Sequence, residues 1–253
     1  MLRKFFRQYD GSFMVTIRLD NLTTERYIAA MSSNQTMSDP TWVESHFTRR
    51  DGTFRFVRWG RPIVPVIVGT NDEGCKIFED GIKAVARIAK LPVQEMDSEL
   101  GANFLVFLVN DWAELLQAPN LIRLIPNLND LIATLTEHEA NQYRVFSFDE
   151  GGAIKICITL LRYDEELQKV SAQTLAVGQA YQGMLLWSDA AFTAESPLAV
   201  TDDGLCVVKP THADLLRVAY DPTLPAVAKD ASFAHRLAAR LTVTQTEAEA
   251  SDA

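Results

Sequence analysis

The chain has 253 residues, of which 47% are hydrophobic and 23% are charged. That composition is typical of a globular protein, and the length is enough for one sizeable core. The formal net charge of -9 argues against a general affinity for nucleic acid or anionic lipid, because the long-range field would repel polyanions. No segment approaches the roughly 18 apolar residues that span a bilayer, and the basic start has no apolar signal region. We therefore expect a cytoplasmic protein.

The three cysteines are far apart and show no C-x-x-C spacing: Cys75, Cys157 and Cys206. An odd number of scattered cysteines argues against both a disulfide framework and a zinc cage. Cys157 lies in an apolar run, where a buried and inert thiol is expected. We therefore predict a reduced compartment, no metal and no cofactor.

Two strands are predicted in the first part of the chain, and a polar stretch lies between them. Residues 13–19 predict a strand, and the Ser/Asn-rich residues 32–40 are typical of a loop. The β-branched run over residues 62–69 predicts a second strand. Pro62 and Pro65 lack amide donors, so this strand is expected at a sheet edge or with a kink.

A helix and a buried strand are predicted next. Apolar side chains recur at helical spacing over residues 77–91, and the helix is expected to end before Pro92. Residues 103–109 are apolar on both faces, which predicts a strand covered by a layer on each side. Asp111, followed by Glu114, indicates the capped start of a short helix.

The second half of the chain predicts hairpins, helices and a disordered end. The hairpins turn at residues 149–152 and 202–204, and the helices cover about 164–186, 211–221 and 226–241. The polar and acidic residues 243–253 are predicted to be disordered. Because no repeat or linker divides the body, we predict one α+β domain over residues 1–242, with a mixed β-sheet flanked by helices.

Residues 69–76 read G-x-x-x-x-G between a predicted strand and helix, and so resemble a phosphate-binding loop. In such a loop Lys follows the second Gly directly, whereas here Cys75 intervenes and Lys76 comes one place later. Asp72 and Glu73 would also put negative charge against the phosphates. An ordinary strand-to-helix turn is the better interpretation.

Weak catalytic candidates occur at His138, Glu165 and Glu166. His138-Glu139 begins like the H-E-x-x-H zinc motif, but Gln142 replaces the second histidine, and an amide oxygen is a poor zinc ligand. Glu165 and Glu166 could act as a general acid and base, but adjacent helix positions point about 100° apart. The structural alternatives are an exposed helix end for His138 and acidic residues that complement a helix dipole.

The other histidines give no catalytic triad, because none of them has a nucleophile in a recognisable context. His212 follows Thr211 at the start of a predicted helix. A first-turn surface position is therefore expected for it.

The one basic and aromatic cluster of this acidic chain lies over residues 49–61. It interleaves Arg49, Arg50, Arg55, Arg58 and Arg61 with Phe54, Phe56 and Trp59. Such a face could hold an anionic ligand or stack on single-stranded nucleic acid. A half-buried strand with solvated or ion-paired arginines gives the same pattern. We predict a contact surface formed by Arg55, Arg58, Trp59 and Arg61.

Two segments resemble the ends of the bacterial domain-of-unknown-function family numbered 2927. Residues 58–63 match its opening R-W-x-x-P-I strand, and residues 214–222 match its closing L-L-R-x-x-Y-D-P helix end. Between them, residues 102–109 are similar to the family's middle strand and residues 165–168 to its E-E-L-x-Q helix start. The resemblance covers about residues 54–225.

That family is thought to be distantly similar to zincin metallopeptidases, so the resemblance implies a zincin-like order of strands and helices. It does not imply zinc, because no two histidines of this chain lie within one helical turn. The family's acidic pair would fall on Ala176 and Val177, which carry no chemistry. Members are often exported, in contrast to the localisation expected above.

The function predicted from the sequence is a non-catalytic binding or assembly module that contacts a protein partner or a small anionic ligand. Nucleic acid is not expected as a partner. The alternative is a divergent metal-dependent hydrolase or peptidase, with zinc as its metal. It would use Glu165 or Glu166 together with His138 or His212.

Overall fold

The computed structural model describes residues 13–15, 39–95, 101–118, 120–193, 195–202 and 204–251. The described strands are β1 (Phe13–Val15), β2 (Phe56–Val57), β3 (Pro65–Val68), β4 (Phe104–Val109), β5 (Gln142–Phe148), β6 (Ile154–Arg162), β7 (Leu198–Val200), β8 (Cys206–Val208) and β9 (Val227–Ala228). The described helices are α1 (Pro40–Ser45), α2 (Asp72–Ile88), α3 (Leu121–Leu124), α4 (Leu128–Glu137), α5 (Ala172–Met184), α6 (Pro210–Ala219) and α7 (Ser232–Ser251), with 3-10 turns at Trp112–Gln117 and Leu167–Lys169. The fold is α+β, as predicted.

The central element is a five-stranded mixed sheet in the order β1-β5-β6-β4-β3. Strands β3 and β6 run parallel to β4, whereas β5 pairs antiparallel with β6 and with β1. The predicted hairpin around residues 149–152 joins β5 to β6, and the second predicted hairpin is the pair β7 and β8. Strand β3, with Pro65 at its start, lies at an edge of the sheet, as its prolines predict.

Strand β4 is buried on both faces, which confirms the interpretation of residues 103–109. Phe104 and Val106 join the core that contains side chains of α2 and α5. Leu105 and Phe107 join a second core, built with α4 and the 3-10 turn Trp112–Gln117. Alternation along one strand therefore supplies two hydrophobic layers.

The loop between β3 and α2 is an ordinary strand-to-helix turn. Gly69 has φ +91°, and a Cβ there would lie 1.8 Å from the carbonyl oxygen of Leu108, so only glycine fits. Asn71 caps α2, since its Oδ1 accepts the amide proton of Gly74 at 2.8 Å. This cap starts the helix at residue 72 rather than at the predicted 77.

The helix predicted over residues 164–186 is shorter than expected. A 3-10 turn at Leu167–Lys169 comes first, and Val170 is then extended. Ser171 caps α5 by accepting the amide proton of Thr174 at 3.1 Å. Because the cap requires extended backbone at Ser171, the acidic residues before it lie outside the helix.

The C-terminal region also differs from the prediction. Residues 227 and 228 form β9, which pairs with β2, so the last helix begins at residue 232. It continues to residue 251, where disorder was expected over 243–253. Residues 247–250 alternate glutamate and alanine, which are good helix formers, and the prediction gave too much weight to the polarity of this stretch. The predictions for residues 16–19 and 32–38 lie outside the described residues.

Candidate binding surface

Residues 47–55 form a tight antiparallel turn, termed here the arginine hairpin. Thr48 and Phe54 pair across it as an isolated bridge. Gly52, at φ +84°, closes the turn and donates its amide proton to the carbonyl oxygen of Arg49 at 2.8 Å. The backbone geometry therefore holds the arginine-bearing segment in one shape.

The aromatic side chains of this region point into the core. Phe47 and Phe56 are fully buried, and Phe54 is 6% exposed. The Phe47 ring stacks on Trp187 with centroids 5.5 Å apart and planes at 13°. Because the aromatic rings anchor the arginine hairpin from below, the arginines are left at or near the surface.

Arg49 and Arg55 bring two positive charges together. Burial lowers the pKa of Arg55 to about 10, and the nearby charge of Arg49 adds to the effect. Burial also lowers the pKa of Arg49, against the attraction of Asp51 and Asp189. The Arg55 guanidinium lies 4.9 Å from the centroid of the Phe148 ring, in a cation–π contact. Two like charges are thus held in half-buried positions.

Two exposed ion pairs border this surface. Arg61 lies 3.4 Å from Asp149, and Arg50 lies 3.9 Å from Asp189. The side chains of Arg61 and Arg50 are 41% and 61% exposed. Pairs of this kind contribute little to stability, so their arginines can exchange partners at low cost.

Two residues of the predicted contact surface, Trp59 and Arg58, contact other parts of the chain. Trp59 is completely buried, and its Nε1–H donates to the carbonyl oxygen of Gly183 at 2.8 Å. Arg58 donates to the carbonyl oxygen of Leu224 at 3.0 Å and lies 5.4 Å from the Tyr220 ring centroid. Expecting an exposed tryptophan was wrong, since the indole finds both an apolar environment and an acceptor inside the core.

Sequence reasoning missed a pair of buried histidines beneath the arginine hairpin. The rings of His46 and His212 have centroids 5.5 Å apart and planes at 66°. His46 is 7% exposed and His212 only 1%, so the predicted surface position of His212 is wrong. Leu215, Leu216 and Ala219 share the buried face of α6 with it, and this three- and four-residue spacing is the signal that could have revealed it.

Both imidazoles are held by hydrogen bonds at Nδ1. The Nδ1 of His46 lies 2.8 Å from the carbonyl oxygen of Trp42, and that of His212 lies 3.2 Å from the hydroxyl oxygen of Tyr181. Burial lowers the pKa of His46, and it lowers that of His212 to about 3, with further depression from His46 and Lys209. The pair is therefore neutral at neutral pH.

A second missed feature is a buried arginine between the sheet and α5. Arg144 is 2% exposed, and its guanidinium donates to Thr159 Oγ1 at 3.3 Å, to Gln182 Oε1 at 3.1 Å and to Gln179 Oε1. Gln179 in turn donates to Gln142 Oε1 at 2.6 Å. Neutral oxygens thus solvate this charge, and burial lowers the pKa of Arg144.

Cys157 lies beside this network and is fully buried, as predicted. Burial raises the pKa of its thiol to about 11, against the opposing charge of Arg144. The thiol is therefore protonated at neutral pH and a poor nucleophile.

The weak catalytic candidates lie apart from these clusters. Glu165 and Glu166 are exposed, and Glu166 pairs with Lys169 at 2.6 Å. His138 is exposed at the C-terminal end of α4, with its Nδ1 2.9 Å from the carbonyl oxygen of Thr134.

The hydrolase hypothesis needs His138 or His212 beside one of the two glutamates, which are exposed, whereas His212 is buried. The helix that carries His138 packs on one face of the sheet, and the helix that carries His212 packs in the core of the other face. Within the described ranges, no three His, Cys, Asp or Glu side chains lie close enough to share a metal ion.

No family model, curated protein or solved structure gives a significant match to the chain. The resemblance to the domain-of-unknown-function family, and the zincin-like order that it implies, therefore stay predictions. Among the described helices, none is both long and apolar enough to cross a membrane.

Proposed function

We propose that the chain is a non-catalytic binding module that holds an acidic segment of a protein partner on the arginine hairpin and Arg61. The observation that supports this is the pair Arg49 and Arg55, two like charges held together in half-buried positions. Asp51 and Asp189 already attract Arg49, while Arg49 lowers the pKa of Arg55, so a carboxylate that arrives beside Arg55 offsets this repulsion.

Carboxylates already contact the arginines of this surface. The guanidinium group presents a planar fork of donors that matches a carboxylate, and neighbouring carboxylates already contact Arg61 and Arg50. A flexible acidic segment can displace those exposed pairs one at a time. The net charge of -9 repels every polyanion at long range, but it repels nucleic acid more strongly than a short acidic segment, because nucleic acid carries many more charges.

The test is a calorimetric titration with a hexaglutamate peptide at pH 7.5 and low salt. We expect Arg55→Gln to weaken binding about tenfold, because one charge-assisted contact is worth about 1.5–3 kcal/mol. Arg123→Gln is the matched control, since Arg123 is exposed on α3, which packs into the core of the opposite sheet face. Binding that is absent, or weakened equally by both substitutions, would refute the proposal.

The alternative of a metal-dependent hydrolase has no specific support in the geometry, because no three His, Cys, Asp or Glu side chains of the described residues converge on one point. Metal content measured by mass spectrometry, on protein purified without a metal-affinity tag, tests it directly. Stoichiometric zinc that disappears on His138→Ala or Glu166→Gln would favour the hydrolase. The cytoplasmic localisation remains a prediction, and cell fractionation checks it.

A further inference from the structure

His46 connects the histidine pair to the arginine hairpin. It directly precedes Phe47, the first residue of that hairpin, and its carbonyl oxygen accepts the amide proton of Ser188 at 2.8 Å. The amide of Arg50 donates to Asp189 Oδ1 at 3.0 Å. Two hydrogen bonds, at Arg50 in the hairpin and at His46 just before it, thus connect the hairpin to the segment around residues 187–189.

The imidazole of His46 is enclosed by rings from several elements. Its centroid lies 4.4 Å from that of Trp42, 6.0 Å from Trp187 and 5.7 Å from Phe192. The fourth neighbour is His212, at 5.5 Å. An imidazolium in this enclosure would lose its hydration without gaining a carboxylate contact, so protonation favours a state in which the ring reaches water.

We propose that the His46–His212 pair is an acid-sensitive latch that holds the arginine hairpin closed at neutral pH and releases it when His46 takes up a proton. The inference rests on the proposed function, because it assigns a mode of regulation to the same binding surface. Release separates residues 46–50 from residues 187–189 and disorders the arrangement of arginines that the acidic segment contacts.

Among the residues that the structure describes, Glu195, Lys209 and Tyr181 are the charged or titratable groups that act on the two imidazoles. Glu195 raises the pKa of His46, though less than burial lowers it, and Lys209 lowers that of His212. Glu195 and Lys209 pair with each other at 2.7 Å, so Glu195 acts on His46 and Lys209 on His212 from one ion pair. The hydroxyl of Tyr181 lies 3.2 Å from Nδ1 of His212 and stays protonated, since burial raises its pKa well above the usual value.

The direction of the pH effect follows from linkage. A histidine whose pKa is lower in the closed state than in the open state favours opening as the pH falls below the open-state value of 6.5. His46 is the first to accept a proton, because Glu195 and the carbonyl of Trp42 favour its charged form, whereas His212 is depressed to about 3. The positive charge on His46 then disfavours the protonation of His212.

The test is amide hydrogen exchange on the full chain at pH 7.5 and pH 5.5, corrected for the intrinsic exchange rate. The amide protons of Ser188 and Arg55 are bonded to the carbonyl oxygens of His46 and Phe47, so their exchange rates measure how often the latch opens. We expect their opening to increase severalfold at pH 5.5, up to a limit of about tenfold for one proton with an open-state pKa near 6.5. His46→Gln should abolish the increase.

Two further variants keep the test decisive. His138→Gln removes an exposed histidine and should leave the increase intact. His46→Phe fills the aromatic enclosure without a titratable group and replaces His46→Gln if that protein does not fold. Equal protection at both pH values, or an increase that persists in the His46 variants, overturns the latch.

Hexaglutamate binding, measured at both pH values, distinguishes a failure of the latch from a failure of the proposed binding function. If the wild type binds at pH 7.5 and weakly at pH 5.5, while His46→Gln binds equally at both, the latch and the binding function are both supported. If hexaglutamate never binds but exchange depends on His46, the binding function fails while the acid-sensitive closure of the hairpin stands. Binding and exchange that are both independent of pH overturn the latch alone.

Discussion

The two faces of the central sheet are built from the same strands but serve different purposes. Leu105, Phe107, Ile158 and Leu160 make one face apolar against α4. The other face, against α2 and α5, contains the charged Arg144 among glutamine and threonine side chains. The histidine pair and the base of the arginine hairpin belong to the core on this second side. The smaller core on the first face thus depends on apolar packing, whereas the larger core on the second side also accommodates a buried charge through polar side chains.

The largest effect is expected from a cavity in the apolar face. Leu160→Ala removes a fully buried side chain from β6 and should lower the free energy of unfolding by about 3 kcal/mol. Urea denaturation at pH 7.5 measures it. A loss below about 1 kcal/mol would contradict the tight packing of Leu160 in this face.

A smaller effect is expected from the polar face. Gln182→Leu removes one acceptor of the buried Arg144 cation and should cost about 2 kcal/mol. In an Arg144→Met background the same change should cost almost nothing, because no buried charge remains. A double-mutant cycle measured by urea unfolding gives the coupling energy. A coupling near zero would show that the network does not act as a unit.

The histidine pair makes the second face sensitive to acid. His212 has a pKa of about 3 in the folded state against 6.5 unfolded, so its contribution to stability is lost as the pH falls below 6.5. The free energy of unfolding should decrease by about 1.4 kcal/mol between pH 7.5 and 5.5 through this residue. His212→Gln should remove that part of the decrease, and an unchanged pH profile would contradict the assignment.

The smallest effect on stability is expected at the binding surface itself. Arg61→Gln breaks an exposed pair with Asp149 and should change the free energy of unfolding by less than about 0.5 kcal/mol. It should nevertheless weaken hexaglutamate binding severalfold. A large loss of stability would instead indicate that Arg61 has a structural role, which thermal denaturation beside the binding titration would reveal.

Local signals in the sequence were enough for the main elements of the fold. The apolar residues of β4, the hairpin of β5 and β6 and the cap at Asp111 were all predicted, because each depends on neighbours within a few residues. The start of α5 was misplaced, since the cap at Ser171 competes with an acidic run that also favours a helix start.

The buried polar groups could not be predicted in the same way. Trp59 finds its acceptor at Gly183, and His46 meets His212, so each contact joins residues more than a hundred positions apart. Arg144 lies in a strand whose alternation does not show which face a helix will cover. Tertiary contacts decide whether such side chains are buried, and residue spacing alone does not report them.

The most direct test of the account is the calorimetric titration of hexaglutamate into the wild type and Arg55→Gln at pH 7.5. The account predicts measurable binding that decreases with added salt and is about tenfold weaker in Arg55→Gln, with Arg123→Gln equal to the wild type. Absence of binding, or an equal loss in Arg123→Gln, would contradict the assignment of the arginine hairpin as the binding surface.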